Sequence, residues 1–195
     1  MKRALDVAVS AVLLAVLSPL LAVLAALVRF SSSGPALHRA RRVGRGGAEF
    51  TMYKLRTMRR DAATTGPGIT ARGDARVTSL GRALRRTHLD ELPQLWNVLR
   101  GDMSLVGPRP EDPRFVARYT PEQRAVLSVR PGITGPAQLA YRDEARLLPA
   151  DATEDAYARD VLPAKLAIDL AYVRRPSLWR DLAVLARTIA GLVRR

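Results

Sequence analysis

The chain has 195 residues, of which 48% are hydrophobic, so it can bury a core and is not a wholly disordered protein. It has no cysteine and only two histidines, which excludes a disulfide scaffold, a thiolate metal site and a cysteine nucleophile, and argues against a zinc site. The 32 basic and 18 acidic residues give a net charge of +14, which favours anionic partners such as nucleic acid, lipid headgroups or phosphorylated substrates.

The N-terminal segment 7–28 contains no charged residue, and a straight helix of this length would span about 30 Å, the thickness of a bilayer core. Ser18 and Pro19 lie in its middle. Proline lacks a backbone donor and serine can bond back to the preceding turn, so the pair predicts a break. Basic residues flank both ends, and such flanks favour the cytoplasmic side. The residues leave two readings open: a re-entrant helix that breaks and returns, and a kinked spanning helix. A signal peptide fits poorly, because the segment is long and no cleavage motif follows closely.

The rest of the chain predicts short strands, helices and loops. Two extended segments, 36–43 and 49–55, flank a glycine-rich turn at 44–47 and predict a hairpin. Loops are expected at 61–74, 106–113 and 131–136. Helices are expected over 79–86 (capped by Thr78), 90–99 (with Pro93 in its first turn and Gly101 after its end), from the capping box at Thr120 to about residue 129, and over 154–173 with an interruption near Pro163.

The last predicted helix follows Ser177 and is amphipathic. Its apolar stripe consists of Leu178, Leu182, Leu185, Ile189 and Leu192, whereas Arg187, Arg194 and Arg195 lie elsewhere on its surface. Two interpretations are equally consistent with this pattern. The helix lies on an anionic membrane, or it packs against its own domain.

The densest group of candidate chemical residues is Asp90-Glu91, which closely follows Arg85 and Arg86. Neighbouring carboxylates with cations nearby can divide their roles, since one stays a free anion while the other holds a metal ion or a proton. The plainer interpretation is that aspartate and glutamate are ordinary residues at a helix start. The pair alone favours that plainer interpretation.

Three further cations are candidates for phosphate binding. Arg109 lies between Pro108 and Pro110, and a stiff backbone lowers the entropic cost of aiming a guanidinium at phosphate. Lys54 and Arg56 lie two residues apart on an extended segment and therefore face the same way. Each pattern also suits an ordinary loop or a solvated strand edge. His38 and His88 are interpreted as surface or capping residues rather than bases.

Several motifs together resemble the bacterial sugar transferase family, the small monotopic phosphoglycosyl transferases that use a polyprenyl phosphate carrier. The similarity extends over essentially the whole chain, and its central block is highly specific. The matching segments are Lys2-Arg3-x-x-Asp6, the apolar segment with Ser18-Pro19, Tyr53-Lys54-Leu55-Arg56-Thr57-Met58, the block from Leu89 to Pro110, Arg130-Pro131-Gly132-Ile133-Thr134-Gly135 and Leu166-x-x-Asp169-x-x-Tyr172. The loop after Thr134 departs from the family pattern, with Pro136 where a tryptophan is common, so the sugar is not identified.

The resemblance implies a reaction and a set of site residues. A UDP-sugar would donate a sugar phosphate to polyprenyl (undecaprenyl) phosphate and release UMP, in the first membrane step of bacterial glycan synthesis (exopolysaccharide, capsule, O-antigen or glycoprotein). Asp90 would be the nucleophile that forms a covalent aspartyl-phosphosugar, and Glu91 would help to hold Mg²⁺. Arg85 and Arg109 would bind phosphate, as would Lys54 and Arg56.

The resemblance also implies an architecture and partners. The expected fold is mixed α/β (α+β), with a re-entrant helix–break–helix over 1–35 and a cytoplasmic catalytic domain over 36–195 on the inner membrane. The expected partners are the UDP-sugar, the polyprenyl phosphate and the phospholipid membrane, with a homodimer as an option and no nucleic acid. The alternative is a non-enzymatic, membrane-anchored basic protein that binds anionic lipid or nucleic acid. That alternative leaves the Asp90-Glu91 pair unexplained.

Overall fold

The structure is a computed structural model that describes residues 1–62, 64–66, 68, 70, 73–142 and 154–193. Of the residues discussed above, Arg194 and Arg195 lie outside the described residues, as do parts of the loop predicted over 61–74. The described chain is a mixture of helices and two small sheets, which confirms the predicted fold class.

The N-terminal segment forms one 30-residue helix, α1 (Lys2–Ser31), which is long and apolar enough to cross a membrane. The predicted interruption at Ser18-Pro19 is wrong for this structure, because α1 continues through the pair with Pro19 inside it. The predicted back-bond is present, since the Ser18 hydroxyl donates to the Ala15 carbonyl at 2.9 Å. That bond satisfies a carbonyl of the preceding turn, and the flanking turns supply the remaining helical bonds.

Two two-stranded sheets follow. The predicted hairpin is confirmed as β1 (Leu37–Val43) and β2 (Glu49–Leu55), antiparallel around a turn in which Gly46 and Gly47 adopt positive φ. The second sheet pairs β3 (Ser104–Val106) with β4 (Gly132–Thr134) in parallel. Residues 131–136 were predicted to be only a loop. The three-residue strand β4 is too short for an alternating pattern to reveal it.

The remaining helices surround these sheets. They are α2 (Ser79–Thr87), α3 (Gln94–Arg100), α4 (Pro113–Val116), α5 (Pro136–Ala140), α6 (Glu154–Ala156), α7 (Leu162–Val173) and α8 (Leu178–Val193). Local signals set several boundaries as predicted. The Thr78 hydroxyl caps α2 by accepting from the Gly81 amide at 2.9 Å, and Gly101 ends α3 with φ +97°. A π-helical turn, Tyr157–Val161, separates α6 from α7 and provides the interruption expected near Pro163.

Two predicted α-helices take tighter forms. The capping box at Thr120 is present, with reciprocal bonds between Thr120 and Gln123, but the segment Gln123–Ser128 that follows is a 3₁₀ helix. The helix predicted over 90–99 is split into a 3₁₀ turn, Leu89–Glu91, and α3. Pro93 explains the split, because it has no amide hydrogen to bond the Leu89 carbonyl, which instead accepts from the Leu92 amide at 3.4 Å.

Both ends of α1 pack against the domain that follows. Near its start, the Asp6 carboxylate accepts from the Ser104 hydroxyl at 2.8 Å and from the Leu105 amide at 3.2 Å. Near its end, Leu24 and Val28 are buried in one cluster with Leu55 of β2 and Leu84 of α2. One face of α1 is therefore attached along the domain at two places far apart in sequence.

The C-terminal helix α8 packs against the domain with one face, as one of the two interpretations of its pattern predicted. Val184 is buried in a cluster with Leu95, Val106 and Tyr172, so one face packs against the domain. The opposite face carries exposed apolar side chains, namely Leu178, Trp179, Leu182, Ile189 and Leu192. Lys2 at the start of α1 binds Asp181 of α8 at 2.6 Å, which places the beginnings of these two helices side by side.

Candidate active site

Asp90 and Glu91 lie on the 3₁₀ turn between α2 and α3. The turn is entered through His88, whose left-handed backbone (φ +57°, ψ +15°) ends α2 and reverses the chain. His88 is the one residue other than glycine with positive φ in the described chain, and such conformations concentrate at functional sites. The expectation that the pair stands at the start of an α-helix is therefore corrected: the carboxylates occupy a separate tight turn.

Two cations hold Glu91. Lys54 Nζ donates to Glu91 Oε1 at 2.7 Å, and Arg109 Nη2 donates to the same oxygen at 3.2 Å. Burial would raise the pKa of Glu91, but the charges of Lys54 and Arg109 outweigh it and hold this pKa well below its usual value. Glu91 therefore stays ionised at every physiological pH.

Asp90 is more deeply buried, with 6% of its surface exposed. Burial and the neighbouring Glu91 charge raise the pKa of Asp90, while Lys54 and Arg85 oppose that rise. Arg85 is held in place by a 2.8 Å bond from its Nε to the Thr57 hydroxyl. The two adjacent carboxylates thus differ in electrostatic environment: Glu91 is firmly ionised, and Asp90 is shifted toward the neutral form.

Close backbone packing positions Arg109. A methyl group on Gly107 would lie 2.5 Å from the Arg130 carbonyl oxygen, and one on Gly132 would lie 2.1 Å from the Gly107 nitrogen. The Gly107 amide also donates to the Thr134 carbonyl at 3.0 Å. Glycine is required here because no side chain fits between the two segments, and the Pro-Arg-Pro loop is fixed as a result.

A buried polar network supports the same loop from behind. Glu111 accepts from the Tyr157 hydroxyl at 3.1 Å, and Lys165 Nζ donates to that hydroxyl at 2.8 Å. Asp169 is 4% exposed and receives hydrogen bonds from the backbone amides of Ala137 and Arg109. Burial raises the pKa of Asp169 to about 7. Through these contacts Lys165 and Asp169, two buried charged residues of α7, help to hold the loop that carries Arg109.

Asn97 joins α3, the helix that follows the Asp90-Glu91 dyad, to the strand that carries Lys54. Its amide accepts from the Tyr53 amide at 3.1 Å and donates to the Thr51 carbonyl at 2.7 Å, so it pairs with β2 as a neighbouring strand would. It also donates to Asp102 at 3.2 Å. Asn97 was not among the site residues predicted from the sequence. Its position inside the Leu89–Pro110 block was the available signal.

Two further residues near the site were not predicted to belong to it: Arg42 was missed, and His38 was interpreted as a surface or capping residue. His38 is the cross-strand partner of Lys54, and Arg42 lies on the same face of β1. Arg42 is close enough to Arg109 and Glu111 to be influenced by both charges. We call this linked set of basic residues the cationic arc: Lys54, Arg85 and Arg109 act directly on Asp90 or Glu91, and His38 and Arg42 lie beside them. The sequence signal for His38 and Arg42 was their position on one face of the strand that pairs with the Lys54 strand.

Arg56 does not join this group. Its guanidinium donates to the carbonyl oxygens of Val28 at 2.9 Å, Ser32 at 2.8 Å and Ser33 at 2.8 Å. It therefore caps the C-terminal end of α1, where backbone carbonyls lack helical partners and a cation is favoured. The expectation that Arg56 binds substrate phosphate is corrected, since tertiary packing places the helix end, and not the dyad, beside it.

The dyad has the donor chemistry that Mg²⁺ prefers. Mg²⁺ in proteins is usually bound by one or two carboxylates together with substrate phosphates and water, and Asp90 and Glu91 supply two adjacent carboxylates. Within the described ranges, no group of three or more acidic, histidine or cysteine side chains is close enough to form an all-protein metal cage. The residues present fit an ion shared with a phosphorylated substrate.

Comparison with known proteins agrees with this geometry. The model of the family described as "Bacterial sugar transferase" matches residues 1–195. The chain is 46% identical to a UDP-glucose:undecaprenyl-phosphate glucose-1-phosphate transferase of Caulobacter vibrioides, over 98% of this chain and 69% of that protein. It is 36% identical to a UDP-N-acetylgalactosamine-undecaprenyl-phosphate N-acetylgalactosaminephosphotransferase of Aeromonas hydrophila, over 98% of this chain and 43% of that protein. It is 35% identical to a UDP-glucose:undecaprenyl-phosphate glucose-1-phosphate transferase of Escherichia coli, over 97% of this chain and 39% of that protein. The chain spans less than half of the last two relatives. It belongs to the bacterial sugar transferase family.

Proposed function

We propose that the protein transfers a sugar phosphate from a UDP-sugar to undecaprenyl phosphate, releasing UMP, with Asp90 as the nucleophile. The observation that carries this proposal is the buried Asp90-Glu91 pair inside an arc of cations suited to phosphates. The names of the three relatives support the donor and acceptor classes.

In the first half of the reaction, an ionised oxygen of Asp90 attacks the phosphorus that bears the sugar. The bond from that phosphorus to the bridging oxygen of the diphosphate breaks, and UMP departs with the electron pair. A carboxylate that is already ionised needs no general base for this attack. Arg85 and Lys54 stabilise the charge that develops on the phosphate oxygens, and Arg109 contributes from the Pro-Arg-Pro loop.

In the second half, an oxygen of the lipid phosphate attacks the same phosphorus. The bond to the Asp90 oxygen breaks, which restores the carboxylate and forms the polyprenyl diphosphate sugar. Splitting the transfer into two steps lets a soluble donor and a lipid acceptor use one site in turn. Glu91 would help to hold Mg²⁺, which would neutralise charge on the diphosphate.

The membrane position follows from how α1 is attached. A helix that crosses a bilayer carries its two ends to opposite sides. Here Asp6 near one end and Val28 near the other both contact the same domain. This double attachment supports a monotopic, re-entrant placement with both ends on the cytoplasmic face of the inner membrane. Because α1 is one continuous helix, such a path needs a bend within the helix and not an interruption, and Pro19 inside α1 is the residue type at which helices bend.

Exposed apolar side chains mark the surface that would meet the lipid. They follow one face of α1 at Leu5, Val12, Val16, Leu20, Val23, Leu27 and Phe30. A second exposed apolar stripe lies on α8, whose start is joined to the start of α1 by the Lys2–Asp181 ion pair. A contiguous apolar surface of this kind is rare on soluble monomers and typical of membrane contact.

The test is UMP release from a panel of UDP-sugars in the presence of undecaprenyl phosphate and Mg²⁺. We expect one or more donors to release UMP with the wild type, and none with Asp90→Asn, which keeps the shape of the side chain. Incubation with sugar-labelled donor alone should leave label on the wild-type protein and none on Asp90→Asn. Turnover by Asp90→Asn would remove Asp90 as the nucleophile.

Membrane retention separates this proposal from a non-enzymatic anchor. Both the wild type and Asp90→Asn should stay with membranes after a high-salt wash, since apolar surface holds them. If cells that carry Asp90→Asn in place of the wild type make their surface glycan normally, the non-enzymatic anchor would be favoured instead.

A further inference from the structure

His38 lies beside the catalytic pair without an anionic partner of its own. It is directly opposite Lys54 in the β1–β2 register, and directly opposite residues of antiparallel strands have their side chains on one face. Lys54 in turn contacts Glu91 at 2.7 Å. His38 is therefore one side chain away from the carboxylates, on an exposed part of β1.

The charged side chains that act on His38 are cations, and Glu91 is the carboxylate that lies beyond Lys54. Partial burial lowers the pKa of His38 below its usual value, and the charges of Arg42 of β1, Lys54 of β2 and Arg85 of α2 lower it further. Among the residues that the structure describes, no carboxylate forms a salt bridge with His38 and no side chain hydrogen-bonds to it. An exposed imidazole amid three cations is suited to meet an incoming anion.

We propose that His38 binds the diphosphate of the nucleotide donor and takes up a proton as the diphosphate enters the cationic arc. This inference rests on the proposed function for the identity of the donor. A diphosphate brings several negative charges to the arc, which reverses the local potential and favours the imidazolium. The charged ring then donates a charge-assisted hydrogen bond to a phosphate oxygen.

The sign of the pH dependence follows from this linkage. His38 is neutral in the empty site near pH 7 and charged in the occupied site, so binding consumes a proton. Nucleotide affinity should therefore rise as the pH falls from 8 toward 6.5. The terminal phosphate of UDP has a second pKa of about 6 and also titrates near pH 6.5. This contribution is common to the wild type and His38→Asn, so the difference between them reports on His38.

The experiment is calorimetric titration of the full-length protein in detergent with UDP at fixed Mg²⁺ concentration. Each titration is run at pH 6.5 and pH 8 in two buffers of different ionisation enthalpy, which gives the number of protons taken up. The wild type should take up a fraction of one proton at pH 6.5. His38→Asn should take up fewer and bind UDP about tenfold more weakly at pH 6.5, with little change at pH 8.

Two variants make the result decisive. His38→Arg carries a permanent charge, so it should bind UDP without the proton uptake. His88→Asn removes the chain's other histidine, whose charge acts on Asp90 and Glu91, and keeps a residue that tolerates a left-handed backbone; it should reduce the proton uptake less than His38→Asn does. Equal uptake and equal affinity in the wild type and His38→Asn, or uptake lost only in His88→Asn, would overturn the inference.

The outcome is separable from that of the proposed function. Proton uptake that depends on His38, in a protein that releases no UMP from any donor, would support the binding site and refute the reaction. Normal UMP release, with proton uptake unchanged in His38→Asn, would support the reaction and refute the role of His38.

Discussion

Replacing Arg56 with methionine tests whether this side chain serves the membrane helix or the substrate. The guanidinium binds three carbonyl oxygens at the end of α1, and the residue is 8% exposed. Hydrogen bonds from a charged donor contribute about 1.5–3 kcal/mol each. Water can reach a helix end and replace part of these hydrogen bonds. Arg56→Met should therefore lower the free energy of unfolding by about 2–4 kcal/mol. For a chain of this size that corresponds to a fall in Tm of roughly 5–15 °C.

The assay pairs thermal unfolding in detergent, followed by circular dichroism, with the KM for the donor from UMP release. Arg56→Met should lower Tm and leave the donor KM within about threefold of the wild type, because Arg56 is not part of the cationic arc. Lys54→Met is the matched control and should raise the donor KM much more, since it removes the 2.7 Å contact with Glu91. A tenfold rise in donor KM with an unchanged Tm in Arg56→Met would refute the reasoning and restore the phosphate-binding role.

Three further predictions concern the catalytic turn and the loop beside it. Gly107→Ala should reduce kcat/KM for the donor at least tenfold, because its methyl would lie 2.5 Å from the Arg130 carbonyl oxygen and displace the Arg109 loop; wild-type kcat/KM would contradict this. The pKa of Asp90 is raised by burial and by Glu91, so the rate of label transfer from donor to protein should fall with falling pH at a midpoint above the usual 3.8. A midpoint at or below 3.8 would contradict that assignment. Asp169 has its pKa raised to about 7, so its contribution to stability is present below pH 3.8 and is lost as the pH rises toward 7. That difference is worth up to about 4 kcal/mol, and urea unfolding at pH 5 and pH 8 should therefore show a weaker decline with pH in Asp169→Asn than in the wild type.

Residues close together in sequence determined much of the local structure. The hairpin follows from glycines between two extended segments, the start of α2 from the Thr78 cap, and the end of α3 from Gly101. Each of these signals acts within a few residues, through backbone freedom or a single hydrogen bond, and so can be read before the fold is known. The motifs that resemble the family also indicated candidate site residues, and two of these, Lys54 and Arg109, do converge on Glu91.

Only the tertiary structure decided what the long-range partners are. Arg56 was assigned to phosphate because it lies two residues from Lys54, yet its partners are carbonyls of a helix that ends more than 20 residues earlier. His38 gained its place in the cationic arc from strand pairing with Lys54, and β4 formed because β3 offered it an edge. The physical reason is the same in each case: a charge or an unpaired backbone group is satisfied by whichever partner packing brings near, and spacing along the chain carries no record of that choice.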